Sequence, residues 1–517
     1  MNSNYRCLAL SFLLALALLS GCAHQSTLTD LLTHKASPDQ PFCQSVAPVG
    51  PSQLQTALEP YAASMGEGKT GVYALEDGAG ALVARAWLTD NAAKTIDAQY
   101  FIFSADNVGL IATERLLLAA ERGVKVRLIV DDVLAHGDAE ILLAVNAHPN
   151  LEVRVYNPNV NIGKGLSDII NAVVTDFRGV NQRMHNKTFI VDQTMAITGG
   201  RNVGAEYYDF HEQYNFRDRD LLLMGGATSQ LQSSFNTFWA DTLSVPLERV
   251  LVPEDPAKPE VVWRKMHQYA CDPERFLPSF RQRIEQAPQT FQTLAADGKL
   301  KWVNDVRYVS DPPGKNNERT SLGGGGTTTT ALIELVNSAQ KTLFMETPYL
   351  IVTDLGLGLL RDAVKRGVDV RILTNSIVST DGLAAFAGYQ SVRDDVLDTG
   401  VKLYEFRPDA NIRHELMTGP KYPKAAYGLH AKTMVVDGET LMVGTFNLDP
   451  RSANLNTEGV TIVRDADLAR LTGQQLQRDM LPENAWRTTK AQNPDSQAGW
   501  WRRFKVCLQR MIPNSIL

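Results

Sequence analysis

The sequence predicts an α/β protein built from two duplicated halves. Each half is read as a mixed β-sheet flanked by helices, with one active site at their pseudo-twofold interface. Three matched blocks carry this expectation. Residues 94–100 (KTIDAQY) return as 341–347 (KTLFMET), 121–129 (ERGVKVRLI) as 365–373 (KRGVDVRIL), and 185–192 (HNKTFIVD) as 430–437 (HAKTMVVD). Their offsets are 247, 244 and 245 residues, and near-constant spacing over separate blocks marks duplication. In the second block a helical pattern stops at Gly and runs into a buried-strand pattern, which gives each half strand–helix–strand order.

Composition sets the limits. The chain has 517 residues and a net charge of −6, with 44% hydrophobic and 21% charged residues. This is ordinary globular usage, which excludes a disordered chain, a collagen or a disulfide-dense mini-protein. A dedicated nucleic-acid binder would carry a basic excess, so none is expected as partner. Only one long apolar run exists, which excludes a polytopic membrane protein.

That run opens the chain. Arg6 precedes an apolar stretch over residues 7–19, shorter than the roughly 20 residues of a spanning helix, and small residues follow. Residues 1–21 are therefore read as a secretory signal. Leu19-Ser20-Gly21-Cys22 resembles the lipobox of bacterial lipoproteins, which implies cleavage before Cys22 and lipidation of its thiol. Arg6 is the only charge before Cys22, so a chain starting there carries −7. Residue 23 is Ala, not Asp, which by analogy with lipoprotein sorting leans towards the outer membrane. Residues 22–54 read as a Ser/Thr/Pro/Gln-rich tether. The first half spans 55–250, a connector 251–300, and the second half 301–485. The remaining cysteines, Cys43, Cys271 and Cys507, are odd in number and widely spaced. They form no zinc pattern, and one bridge of undetermined pairing is compatible with an oxidising compartment. Residues 323–330 (GGGGTTTT) read as a mobile linker or cleft-bordering loop.

The chemistry sits in the third block. Both copies have the form HxKxxxxD, and seven positions after the Asp both continue Gly-small-x-Asn, at Gly199–Asn202 and Gly444–Asn447. Asp437-Gly438 is a hairpin signal between apolar runs. His and Lys two apart then share one face of a strand, with the Asn on or just past the returning strand. A phosphodiester needs such a set twice. Lys187 with Asn202, and Lys432 with Asn447, would neutralise and orient the non-bridging oxygens from two sides. One of His185 and His430 could attack phosphorus, and the other could protonate the leaving oxygen and deprotonate the incoming one. No metal or other cofactor is expected, because the lysines supply the cations. Each imidazole needs an acceptor on its other nitrogen. Glu458 is the candidate for His430, and Asp218 or Asp220 for His185. Asp192 and Asp437 complete the motif and are counted with its catalytic set. Their place before a tight turn suits a supporting role.

The paired motifs resemble the phospholipase D superfamily. Residues 183–187 (RMHNK) and 429–432 (LHAK), with 444–452 (GTFNLDPRS), resemble the bacterial cardiolipin synthases within it. The resemblance implies transfer of a phosphatidyl group through a covalent phospho-His, giving cardiolipin or, with water as acceptor, phosphatidic acid. It implies phospholipid partners (phosphatidylglycerol, phosphatidylethanolamine or cardiolipin) at a membrane surface, and family habit favours His185 as nucleophile. The lipobox is a departure from that pattern. A phospholipase D-type hydrolase or a periplasmic phosphodiesterase or nuclease of the same superfamily is the alternative. Residues 486–517 mix aromatic and basic side chains from Trp500 to Val506. They fit a membrane contact or a helix packed on the domain. Residues 163–176 similarly fit an amphipathic helix at the cleft mouth or core packing.

Overall fold

A computed structural model describes Thr27–Thr33 and residues 53–517, except 133–135, 160–161, 163–170, 172–174, 253–256, 273–274, 276–277, 291–297, 320–321 and 418–423. The signal segment, Cys22, Cys43, most of the tether and most of residues 163–176 lie outside the described residues.

The first half supplies β1 (Thr70–Leu75), β2 (Thr95–Tyr100), β3 (Lys125–Asp131), β4 (Leu151–Tyr156), β5 (Thr188–Val191), β6 (Met195–Gly199), β7 (Tyr214–Arg217), β8 (Asp220–Gly225) and β9 (Ser244–Pro246). After the connector come β10 (Lys301–Val303) and β11 (Val306–Ser310). The second half adds β12 (Thr342–Glu346), β13 (Asp369–Asn375), β14 (Lys402–Phe406), β15 (Ala426–Leu429), β16 (Thr433–Val436), β17 (Thr440–Gly444), β18 (Gly459–Arg464) and β19 (Ala485–Thr488).

One sheet runs β10-β1-β8-β6-β5-β2-β3-β4-β9 and the other β11-β18-β17-β16-β12-β13-β14-β19. Without β10 the two orders coincide strand for strand, so the duplication read from three blocks extends to the whole topology. β2, β3 and β4 pair in parallel, as do β12, β13 and β14, while their neighbours pair antiparallel. Each helix feeding β3 or β13 ends at a Gly with positive φ, Gly123 at 95° and Gly367 at 88°, the left-handed turn that a Cβ disfavours.

Both faces of each sheet are covered, so the central strands read as unbroken apolar runs. In β5 every residue is buried; Phe189 and Val191 face the outer helical layer while Ile190 faces inward. The inner faces meet in one shared core. Val72, Ile190, Ala196 and Leu223 of the first sheet join Phe344, Val435, Leu441 and Val463 of the second. Phe235 and Phe238 of helix Thr228–Ala240, and Leu468 and Leu476 of helix Ala466–Asp479, complete this core. Burying a side chain of this size contributes roughly 1.5–3 kcal/mol, so the halves are joined by hydrophobic burial as well as by the chain.

Three expectations change, and the open disulfide choice narrows. β10 opens the stretch assigned to the second half, yet it pairs with β1 in the first sheet. Within the presumed tether, Thr27–Thr33 is helical and Leu31 is buried in the first half's core, since its apolar residues find a surface to cover. Thr327 to Thr330 form the first turn of helix Thr327–Ser338, and the preceding Gly325 N–H is held by the Asn454 side chain. Cys271 is disulfide-bonded, whereas Cys507 is free and exposed.

Asp192 and Asp437 brace their hairpins. Each begins a hairpin turn with positive φ, 49° and 54°. The Asp192 carboxylate accepts hydrogen bonds from the backbone N–H groups of Ala93, Lys94 and Thr95. Asp437 does the same for Gln340, Lys341 and Thr342. Each thus ties its hairpin to the start of the neighbouring strand, and its carboxylate is occupied with backbone rather than with the active site. Partial burial alone would raise the Asp437 carboxyl, but the three N–H donors win and hold it below its ordinary range. Its contribution is therefore present at neutral pH and lost as pH falls through that lowered value. Asp437→Asn should cost about 1–2 kcal/mol, allowing for solvent screening. In thermal melts the variant should unfold a few degrees early at pH 7, converge with wild type in acid, and keep its turnover per folded molecule. A large loss of turnover without loss of stability would return the Asp to the catalytic set.

Candidate active site

Two short segments cross between the halves and build the site. β15 leaves the second half and pairs in parallel with β7 of the first, Ala426 opposite Tyr214 and Leu429 opposite Arg217. The next residue, His430, donates its backbone N–H to the Arg217 carbonyl at 2.8 Å. The symmetry mate is a single bridge between Met184 and Thr457, after which the His185 N–H donates to the Thr457 carbonyl at 2.9 Å. Arg217 is followed by Asp218, and Thr457 by Glu458. Each imidazole therefore meets the carboxylate of the opposite half. His185 Nδ1 lies 2.8 Å from Glu458 Oε2, and His430 Nδ1 lies 2.6 Å from Asp218 Oδ2. The expected pairing within each half is corrected to pairing across them. Asp220 serves neither His; it is buried against Arg85 at 2.9 Å and Arg201 at 3.4 Å.

The last residues of β3 and β13 fix the segments that carry the histidines. Asp131 accepts the Met184 backbone N–H at 2.7 Å and pairs with Arg183 at 3.2 Å. Asn375 accepts the Leu429 N–H at 2.8 Å and returns a bond to its carbonyl at 2.8 Å. Sequence reasoning missed this pair. Its signal was the second repeat block, which these residues extend by two positions at the same offset of 244. Also missed was the role of residues 216–220 (FRDRD). Arg217 reaches Asp479 at 3.1 Å and Glu76 at 2.8 Å, and Arg219 reaches Glu76 at 2.7 Å and Glu346. Asp479 and Glu346 belong to the second half, so this buried run ties the halves together ionically.

His–Lys pairs lie in extended chain just before β5 and β16 rather than within those strands. Lys187 Nζ donates to the His185 carbonyl at 2.7 Å and sits 5.5 Å from the Phe101 ring centroid. Lys432 Nζ donates to the His430 carbonyl. Phe101 and His185 meet in a T-shaped contact, and Tyr207 and Phe216 flank His430 with centroids within 5.1 Å. Asn202 and Asn447 each fall three residues past their returning strand. Asn202 donates to Tyr207 Oη at 2.8 Å and accepts the Ile102 N–H. The buried Asn447 Oδ1 has no hydrogen-bond partner among the described residues.

The halves differ electrostatically. Burial alone would raise the Asp218 carboxyl, but His430, Lys432 and Arg201 overcome it and hold it well below the ordinary carboxylate range. Glu458 is pushed up to about 7 by burial, against the pull of Lys187. Burial and the charges of Lys187, Lys432, His430 and Arg451 drive His185 well below an ordinary imidazole. His430 is lowered by burial and Lys432, and Asp218 works against that. Burial also brings Lys187 down to about 7, with Lys432 adding to it, and Lys432 down to about 8. The small residue of Gly-small-x-Asn also differs between the halves. A Cβ at Gly200 would lie 2.0 Å from Asp218 Oδ1, whereas Thr445 donates its hydroxyl to Glu458.

A buried cluster of two lysines and two imidazoles suits a tetrahedral oxyanion. The family model described as cardiolipin synthase, PLD-like domain, matches residues 88–239 and again 332–480, once per half. The chain belongs to this phospholipase D-like family. It is 31% identical over 481 residues to cardiolipin synthase C of Escherichia coli (strain K12), covering 89% of this chain and 98% of that one. It is 23% identical over 423 residues to a cardiolipin synthase of Staphylococcus aureus (strain Mu50), covering 82% and 69%. Among solved structures it resembles the phosphatidylserine synthase of Haemophilus influenzae Rd KW20 in fold, with a TM-score of 0.56 at 15% identity over 86% of this chain and 95% of that one.

The lowered lysines set a pH dependence. Both are charged below about 7 and neutral above about 8, so affinity for an anion of fixed charge should fall across that interval. Competitive inhibition by sulfate should weaken at least about tenfold between pH 6 and 9, since each lost charge-assisted bond removes on the order of 1.5–3 kcal/mol. A flat profile would mean that the lysines do not hold the anion.

Proposed function

We propose that this protein is a phosphatidyltransferase of the cardiolipin synthase type, acting through a covalent phospho-His, with phospholipase D hydrolysis as a side reaction. The observation that carries the reading is the pairing of two buried imidazoles with two unequal carboxylates across the interface. A nucleophile must stay neutral with Nε2 free, and a general acid must arrive protonated. His185 feels the most positive charge and has the less ionised carboxyl as partner, which suits the nucleophile. His430 sits against the permanently ionised Asp218, so it is lowered less than His185 and is the better of the two at keeping a proton, which suits the acid.

In the first step His185 Nε2 attacks phosphorus. A P–N bond forms, the bond to the leaving head-group oxygen breaks, and that oxygen takes the proton of His430. Then His430 removes the proton of an incoming hydroxyl, whose oxygen attacks phosphorus and breaks the P–N bond. A phosphatidylglycerol hydroxyl yields cardiolipin, and water yields phosphatidic acid. Lys187, Lys432, Asn202 and Asn447 hold the non-bridging oxygens; because these side chains are buried and already oriented, they stabilise the transition state with little reorganisation.

Phosphatidylglycerol, phosphatidylethanolamine or cardiolipin are the substrates this reading names. It places the protein in the bacterial envelope as a lipoprotein anchored through Cys22 and facing the periplasm, with the outer membrane favoured over the inner. The disulfide at Cys271 supports an oxidising compartment. No helix among the described residues is long and apolar enough to cross a membrane.

The test is lipid mass spectrometry of purified protein incubated with phosphatidylglycerol and phosphatidylethanolamine, beside His185→Ala and His430→Ala. Cardiolipin is expected with wild type, and turnover should fall at least about 10³-fold in either variant. Quenching during turnover should leave an acid-labile phosphoryl adduct on residue 185; an adduct on residue 430 would reverse the two roles. Phosphatidic acid as sole product would make the protein a hydrolase. Cleavage of DNA or a simple phosphodiester with both lipids untouched would remove the lipid reading.

A further inference from the structure

The C-terminal helix Trp500–Gln509 has two different faces. Its inner face is fixed to the second half. Val506 is buried, and Arg502 donates from Nε to the Ile377 carbonyl at 2.6 Å and from Nη2 to the Thr380 carbonyl at 2.7 Å. The outer face leaves large apolar groups in water. Trp500 is 69% exposed and Met511 65%, and Trp501, Phe504 and Leu508 lie between them, each about half exposed. Trp500 meets Trp501 edge to face with centroids 5.3 Å apart, and Trp501 stacks on Phe504 with centroids 5.5 Å apart. Leaving a patch of this kind uncovered is unfavourable unless something else covers it.

Charge indicates what covers it. Arg503 and Lys505 are exposed on the same helix, and neither pairs with a carboxylate among the described residues. Lys505 Nζ lies 5.7 Å from the Trp501 centroid. These cations stand out on a chain whose net charge is −6. Aromatic rings beside unpaired cations fit a lipid interface, with rings at head-group depth and cations on phosphates.

The helix is also coupled to the active site. The loop that Arg502 clamps contains Ser379, whose carbonyl accepts the Tyr214 hydroxyl, and Asp381, which accepts the Tyr349 hydroxyl at 2.8 Å. Tyr214 packs on Phe216, and Phe216 packs on His430. Helix, loop and His430 therefore form one packed body.

We infer that the Trp500–Met511 face docks on an anionic phospholipid surface and holds the active-site rim formed by the 377–381 loop against that surface. The inference rests on the phospholipid reading above for what the rim would receive, but docking can be tested without turnover. The full mature chain carrying Cys22→Ser, so that no acyl anchor contributes, is sedimented with vesicles of phosphatidylcholine alone and of phosphatidylcholine with phosphatidylglycerol. Wild type should bind the anionic vesicles with a blue shift of Trp emission. Trp500→Ser/Trp501→Ser/Phe504→Ser should weaken binding about tenfold or more, and Arg503→Gln/Lys505→Gln should weaken it on anionic vesicles only. Unchanged melting would show that both variants fold; should the aromatic variant fail to fold, the charge variant decides alone. Equal binding by wild type and variants overturns the inference. So does an absence of vesicle binding together with a dimer that the aromatic variant dissolves, since a second copy would then cover the face. If vesicles bind as expected but no lipid is converted, the docking stands and the phosphatidyltransferase reading fails.

Discussion

Two backbone hydrogen bonds that cross between the halves determine the rest of the site: His185 N–H to the Thr457 carbonyl, and His430 N–H to the Arg217 carbonyl. In each case the acceptor residue is followed at once by the carboxylate that the imidazole uses. Each bond therefore sets the register between a histidine of one half and an acid of the other. A slip of one residue would turn the carboxylate to the opposite face of its segment. Around this crossing the chain arranges its most costly residues. Arg217, Arg219, Glu346 and Asp479 are all buried. Removing one partner of such a pair is strongly destabilising, because the other charge is left buried and alone. The ionic network, the shared apolar core and the catalytic pairs thus depend on one docking geometry.

Much of the fold was legible in the sequence because duplication leaves a local record. Matched blocks gave the two sheets, and the Asp-Gly turn gave the hairpin. Exchange of partners was not legible. Asp218 and Glu458 were identified as acceptors from their residue type and position, but were matched to the histidine of their own half. Local spacing carries no information about which half a segment crosses into, and that is decided by β15 pairing with β7. Likewise residues 216–220 looked like a candidate acceptor run, and three of its four charges turn out to hold structure. Asp131 and Asn375 escaped notice because they are different residue types. They share a geometry, accepting a backbone N–H, that either side chain provides.

The histidine blocks also joined two separate tasks in one motif. His and Lys face the reaction, while the Asp of the same motif, five residues after the Lys, braces its hairpin against the neighbouring strand. Membership in the motif counted that Asp with the catalytic set, although its place before a tight turn suited a supporting role. Its positive φ and three backbone donors identify it instead as a turn residue that keeps the strand carrying the site in register.

Gly200 and Thr445 occupy the same place in the two halves and do opposite things: one leaves room for Asp218, the other bonds to Glu458. A site assembled from two identical copies would give both histidines the same environment, and neither would be committed to a role. Fusion of the copies into one chain lets each position vary on its own, so a single missing side chain can break the symmetry. In that sense Gly200 gives the site room for a direction: it admits Asp218, which His430, Lys432 and Arg201 keep ionised, while burial leaves Glu458 near neutrality, so that the pair has a donor end and an acceptor end for one proton.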